Sequence, residues 1–301
     1  MSGLRPGGVK AAALHHPARP TEHRYPQPAV NALRCPHCEA PLSADDGQFS
    51  CANGHTFDVA RHGYVALLGS QARTDTGDSP DMVAARVAFL AAGHFSPIAA
   101  AVARAAQSFS GPVLEVGAGT GYYLRAVLDS ATNAGCGIAI DSSKYAARRS
   151  AVDPRTVSVV ADAWSALPLV DAAAGVVLSV FAPRTATEMA RVLRPDGLLV
   201  AVTPEPQHLR QLRDRLAMLT VDEGKADRLV RGFAGLLTLV ERRLVEFDLT
   251  LGHADTAALV RMGPTARHLA APELQAELRT VPDPLTITGS VTVSTFKAAA
   301  R

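Results

Sequence analysis

Long apolar runs are missing from this chain. No window of about 18 consecutive apolar residues escapes a charge or a proline, so a membrane-spanning helix is excluded. Cysteine is scarce, four in 301 residues, where a secreted disulfide scaffold would carry more and spread them out. A reducing, cytoplasmic setting follows. An excess of one charge sign is also absent: 30 basic residues face 28 acidic ones, a balance that by itself selects no acidic partner. Lysine is nearly missing, four against 26 arginines, which favours planar bidentate contacts to phosphate or carboxylate and is equally what a GC-rich gene writes. Low hydrophobicity is not among the shortages. At 48% hydrophobic the chain has ample material for a core, and its length suits one large and one small domain.

The small net charge is unevenly placed. Residues 1–73 hold seven Arg or Lys and five Asp or Glu, leaving 23 of each sign in the remainder. The first 33 residues carry five prolines and three histidines but no apolar stretch of signal-peptide length. Residues 1–32 are therefore expected to be a disordered tail. From Leu33 to about residue 75, short apolar runs alternate with turn residues such as Asn53-Gly54, too little core for so short a segment to fold unaided. Some staple is needed.

Cys35, Cys38, Cys51 and His55 supply one. Their C-x2-C-x12-C-x3-H spacing lets two knuckles joined by a hairpin converge on one tetrahedral ion, and three thiolates with one imidazole suit zinc. His37 competes with His55 as fourth ligand, though it is crowded between Cys35 and Cys38. Four protein ligands leave no open position, so the ion is read as structural.

Residues 76–110 read as a helical linker, with a helix starting at Ser79-Pro80-Asp81 and a second at Ser96-Pro97. From Gly111 to the end, short strands alternate with helices every 20–25 residues: Val113–Val116, Gly137–Asp141, Val157–Ala161, Gly175–Phe181 and Leu198–Val202. That pattern predicts right-handed βαβ units on a parallel sheet. A helix over His208–Leu219, a strand over Arg243–Leu251 and another over Leu285–Phe296 complete the pattern. The fold class is α/β, a doubly wound Rossmann-like domain carrying a small N-terminal zinc module.

Glu115-Val116-Gly117-Ala118-Gly119-Thr120-Gly121 follows a strand and opens a helix. A dinucleotide fingerprint would need glycine where Tyr122 stands. The G-x-G-x-G form with an acid two residues ahead is that used for S-adenosylmethionine. Glu115 is then placed to attract the ammonium of the amino-acid part, Asp141 to accept the ribose hydroxyls, and Asp162 to take the adenine amine with Ala163-Trp164 beside the ring. Three acids ending three successive strands make the reading specific. The turn after the fourth strand, Phe181-Ala182-Pro183-Arg184, lacks the Asn-Pro-Pro of exocyclic-amine methyltransferases, which disfavours an exocyclic amine and keeps a ring nitrogen open as acceptor.

Taken together, these residues resemble the zinc-containing 23S rRNA (guanine-N1)-methyltransferases over about residues 33–297. The likeness rests on the zinc ligands, Phe57-Asp58-Val59-Ala60, Gly63-Tyr64-Val65, Gly77-Asp78-Ser79, Ala85-Arg86 with Gly93-His94, the glycine loop, Ala182-Pro183 and Thr203-Pro204 with His208-Leu209. The resemblance implies that Phe95 (where relatives usually have Tyr), Gly119, Thr120 and His208 lie against the cofactor. It also implies a hairpin of domain II as substrate, and it brings in members similar to tylosin-resistance determinants. A homodimer is left open.

Guanine N1 carries a proton that a carboxylate or histidine must remove, and Asp78, Asp81 and His94 are the candidates. Arg34, Arg61, His62 and Arg73 of the zinc module, with Arg86, are the expected RNA contacts. The competing reading is a small-molecule methyltransferase with a zinc knuckle as a structural or protein-binding element; salt-sensitive RNA binding separates the two.

Overall fold

A computed structural model describes residues 25–45, 47–69, 72, 77–107, 109–131, 135–182, 185–216, 224–267 and 271–299. The chain opens with helix α1 (Gln27–Asn31) and a three-stranded antiparallel ribbon of β1 (Leu42–Asp45), β2 (Gln48–Cys51) and β3 (Thr56–Asp58). Strand β4 (Tyr64–Ala66) follows, then the linker helices α2 (Pro80–Ala91) and α3 (Ser96–Ala105). The α/β part runs β5 (Val113–Val116), α4 (Tyr122–Ser130), β6 (Gly137–Asp141), α5 (Lys144–Ser150), β7 (Thr156–Val160), β8 (Ala174–Val180), α6 (Ala186–Val192) and β9 (Leu193–Pro204). It closes with α7 (Arg210–Arg213), α8 (Lys225–Gly232), β10 (Leu237–Leu251), α9 (His253–Arg261), α10 (Ala271–Leu278) and β11 (Leu285–Ala298).

Eight strands form one sheet in the order β10-β11-β9-β8-β5-β6-β7-β4. β4 through β9 are parallel, and β11 runs antiparallel between β9 and β10. The strand order reverses between β5 and β8. In an open α/β sheet that reversal opens a crevice beyond the carboxyl ends of the strands, where ligands bind. Strands β5, β7 and β8 are buried along their whole length, as parallel strands covered on both faces must be. Valine and leucine dominate them, and their few polar residues, Glu115, Thr156, Ser158 and Ser179, are buried as well. Ser79 caps α2 by accepting from Met82 N, and Pro80 fills the first helical position, where no N–H is required.

The boundaries differ from the sequence expectation in several places. Residues 25–32 of the expected tail are folded: Ala29 and Val30 are buried, and Tyr25 packs on Phe49 with ring centroids 5.2 Å apart. The rest of that tail, residues 1–24, lies outside the described residues. The zinc module is not separate from the core, because β4 adds to the main sheet by pairing in parallel with β7. Leu33, Phe49 and Leu67 share one apolar cluster with Ile138, Val159 and Leu169 on one face of the sheet. Each such fully buried side chain contributes roughly 1.5–3 kcal/mol, so ribbon and core stabilise one another. Of the expected helix over His208–Leu219, the described residues form α7, which begins after Leu209 with its left-handed φ of 57°, while residues 217–219 lie outside the described residues. β10 begins six residues earlier than Arg243, at Leu237.

Candidate active site and metal centre

In the ribbon, the first knuckle is closed by Cys35 N donating to Ala40 O and the second by Cys51 N donating to His55 O. The turn between Cys51 and His55 needs Gly54 at φ 81°. These turns bring Cys35, Cys38, Cys51 and His55 together, with their ligand atoms all within 4.8 Å of one another. Cys38 Sγ stands 3.7 Å from Cys51 Sγ, and Cys51 Sγ stands 3.5 Å from His55 Nδ1. A tetrahedral ion with Zn–S of about 2.3 Å and Zn–N of about 2.0–2.1 Å sets two sulfurs about 3.8 Å apart and a sulfur and nitrogen about 3.6 Å apart. Both of these separations match, and three thiols with one imidazole suit zinc, so the residues fit the ion. The Ala40 amide and the Asn53 side chain bring the Cys38 thiol down to about 6, towards the thiolate a metal requires. Burial holds the Cys35 thiol up. His37 is not part of the cluster; its ring stacks on Phe57 at 5.7 Å.

At the strand reversal lies a cavity of about 460 Å³. Its floor is the loop after β5, where Gly117, Gly119 and Gly121 adopt φ of 70°, 53° and 73°, values that side chains resist. Asp141, ending β6, fastens this loop: Oδ2 accepts from Gly119 N and Oδ1 from Ser143 N, both at 2.8 Å. A carboxylate has about four lone-pair positions, so two remain for hydroxyls. Glu115 is 1% exposed and accepts from Leu124 N; burial pushes its carboxyl up to about 8. Ala163 and Trp164 line the β7 end of the cavity, and Trp164 is 59% exposed.

Asp162 is placed differently from the expectation. Its Oδ1 accepts from Trp164 N and its Oδ2 from Ser165 Oγ, so the carboxylate closes its own turn. It borders a smaller hollow of about 260 Å³ between ribbon and core rather than the main cavity.

The linker forms the roof. Gly77 passes so near β6 that a Cβ there would stand 2.9 Å from the Ser143 backbone. Arg86 Nη2 donates to Asp78 Oδ2 at 2.6 Å and to Met262 O at 2.7 Å, tying α2 to the segment after α9. Arg86, expected among the RNA contacts, is therefore a cavity residue whose Cδ would stand 3.4 Å from a Cβ on Gly119. Met262 and Pro264 also line the cavity from a sequence region with no motif to announce them.

On the β8 side an aromatic group closes the cavity. Phe95 and Phe181 line it, while His208 lies behind, stacked on Phe181 at 5.7 Å and 27°. The His208 ring is fixed by Ser290 N donating to Nδ1 at 3.1 Å. Burial, with Arg213 adding to it, brings His208 down to about 4, so the ring is neutral at pH 7 and carries its proton on Nε2. Phe181 has a left-handed φ of 54°, a conformation that costs an L-residue roughly 1–2 kcal/mol.

Of the three expected acid–base candidates, only Asp78 lines the cavity. Asp81 is exposed in the first turn of α2. His94 faces away, with Nε2 3.1 Å from Asp255 Oδ2 and its ring on Phe89. Among the expected RNA contacts, Arg34 pairs with Glu39 at 3.4 Å beside the smaller hollow. Arg61 is exposed and donates to His62 Nε2. Arg73, with Pro183 and Arg184, lies outside the described residues.

Residues 33–74 match the family model described as "RlmA, N-terminal", and residues 114–201 match a methyltransferase domain. The 23S rRNA (guanine(748)-N(1))-methyltransferase of Streptomyces fradiae is 43% identical over 269 residues, 87% of this chain and 95% of the relative. The chain belongs to the 23S rRNA (guanine-N1)-methyltransferase family. A provisionally named 23S rRNA (guanine-N(1)-)-methyltransferase of Micromonospora griseorubida is 42% identical over 293 residues, covering 88% of this chain and 97% of its own. A solved S-adenosylmethionine-dependent methyltransferase from Thiobacillus denitrificans superposes on 67% of this chain and 90% of itself at TM-score 0.44 and 17% identity, too loosely to bear on the site.

The chain carries a zinc ribbon and an S-adenosylmethionine-dependent methyltransferase domain. The cavity suits that cofactor: a buried acid at the glycine loop, an acid with spare lone pairs at the end of β6, and an aromatic face at the end of β7. Among the described residues no single helix is long and apolar enough to cross a membrane.

Proposed function

We propose that this enzyme transfers a methyl group from S-adenosylmethionine to N1 of a guanine in 23S rRNA. The carrying observation is the 43% identity to an enzyme named for that reaction, over 95% of its length. The cofactor supplies a methyl group already activated on a sulfonium. The chain's own residues hold, orient and shield. Asp141 takes the ribose hydroxyls, Trp164 covers the adenine, and Glu115 with Gly117 and Gly119 receives the amino-acid part. This arrangement leaves the β8 side, with Phe95 and Phe181, for the acceptor.

Guanine N1 must lose its proton, and Asp78 is the candidate carboxylate that borders the cavity, held in place by Arg86. Alignment of N1 with the activated methyl then supplies much of the acceleration. The guanine has to leave its stack to enter, which an unpaired hairpin nucleotide does at small cost. The same reading puts the enzyme in the cytoplasm beside its ribosomal substrate and admits a homodimer, which light scattering on the purified chain decides.

Primer extension on 23S rRNA from a deletion strain and its complemented partner tests the function, because a methyl at N1 blocks pairing and stops the polymerase. A complementation-dependent stop is expected, and its position gives the guanine. No difference between the strains refutes the reading.

A further inference from the structure

Phe181 is out of keeping with the residues around it. It directly follows β8, whose residues are buried throughout, yet it is 40% exposed. Its φ of 54° lies in the region that favours glycine, so an aromatic residue there carries strain that its limited burial does little to offset. Such strain persists where the side chain is needed for something other than folding. Phe181 borders the cavity next to β8, whereas Asp141 and Trp164 border it from β6 and from the loop after β7, on the other side of β5 in the sheet order. Behind it the neutral His208 ring lies nearly parallel at 5.7 Å, and His208 is itself pinned by Ser290 N. Phe95 leans against both at 6.3 and 6.0 Å. A flat apolar plate, backed and fixed from behind, thus stands at the acceptor side of the cavity.

We propose that Phe181 is the stacking platform for the flipped guanine, held at its angle by the left-handed backbone and the His208 ring behind it. This rests on the guanine-N1 reading above. Stacking on an aromatic plate holds a purine by its π-face while leaving its N1 edge free for the cofactor. A backbone turned to φ 54° departs from the extended strand conformation just where Phe181 borders the cavity. His208, expected from the family likeness to touch the cofactor, acts here as the support of the plate.

The test uses the full-length chain, S-adenosylmethionine and a 23S rRNA hairpin containing the guanine located by primer extension. Three variants are compared, Phe181→Gly, Phe181→Leu and Phe181→Tyr. For Phe181→Gly, kcat/KM on the hairpin is expected to fall by about 10- to 100-fold, the usual range when a base–aromatic stack is removed. Its cofactor affinity should stay within about twofold, and its Tm should not drop, since glycine releases the backbone strain. Phe181→Leu keeps an apolar side chain without the plate and should lose activity similarly, whereas Phe181→Tyr should retain it. A 2-aminopurine placed at the target position should be quenched on binding to wild type and to Phe181→Tyr but not to Phe181→Gly.

Normal activity of Phe181→Gly or Phe181→Leu overturns the platform while leaving the guanine-N1 reading intact. A lowered Tm with equal loss of cofactor affinity shows a structural role and overturns it as well. A wild-type chain that methylates no guanine at N1 overturns both.

Discussion

At the scale of single residues, the most consequential group is Glu115, a carboxyl with almost no access to water whose ionisation burial disfavours. Its value in the folded chain is about 8 against 4.5 when unfolded. Between those values the folded state keeps a proton that the unfolded state has lost, so stability of the cofactor-free enzyme falls as pH rises through that window and levels off above it. Asp141 is pushed in the same direction by burial, which adds to the slope. Glu115→Gln should flatten much of the decline, as denaturant titrations between about pH 5 and 8 would show. An ammonium brought beside Glu115 reverses the preference. Cofactor binding near pH 7 should therefore release a proton from wild type and none from Glu115→Gln, visible as a calorimetric enthalpy that varies with buffer ionisation only in wild type. A buffer-independent wild-type enthalpy would show that the acid does not answer to the ammonium.

Among elements, those with strong local signals were legible in the sequence. β5 through β9 are apolar runs bounded by turn residues, α2 begins at a Ser-Pro-Asp cap, and the four zinc ligands announce themselves by spacing. What escaped is what depends on distant partners. The residues of β4 look like part of a small ribbon, and nothing local says that they pair with β7 about ninety positions later. The first half of β10 is largely exposed and charged, so no apolar alternation marks it. In the site, Asp162 was readable as a strand-end acid, but its choice of its own turn over the cavity is a local competition that side-chain geometry decides. The partnership of Arg86 with Met262 spans 176 positions and has no sequence signature.

The β4 pairing changes what metal loss should do. A free-standing zinc module would unfold alone and leave the cofactor domain indifferent. Here the ribbon contributes Leu33, Cys35 and Phe49 to the apolar cluster that also holds Ile138 and Val159. Cys51→Ser, or zinc removal by a strong chelator, is thus expected to lower the Tm of the whole chain in one transition and to weaken cofactor binding with it. Two separate transitions, the upper one unchanged, would restore the picture of independent modules. For the same reason a chain cut at residue 75 loses a sheet strand together with the ribbon and is a poor test of RNA binding.

For the whole molecule, charge balance conceals a local asymmetry. Outside the first 73 residues acids and bases cancel, yet α5 presents Lys144, Arg148 and Arg149 as exposed side chains. This helix packs on β4, beside the turn that carries Arg61 and His62. The proximity is felt electrostatically: burial first, then Arg148 and Arg61, hold the His62 ring below its ordinary value. Among the described residues, none of Arg61, Lys144, Arg148 and Arg149 forms an ion pair with a carboxylate. The basic surface thus belongs to neither part alone; it exists because β4 joins ribbon to core. Each phosphate that a cation grips releases counterions, so log Kobs for RNA falls against log salt with a slope set by the number of phosphates held. Arg61→Ala with Arg148→Ala should weaken binding of a 23S rRNA hairpin and make that slope shallower by up to about two units, roughly one for each phosphate no longer held. Cofactor affinity should be unaffected, as neither side chain lines the cavity. An unchanged slope in the double variant would place the phosphate grip elsewhere on the molecule. If either single variant removed one unit and the pair only one, the two arginines would share a single phosphate.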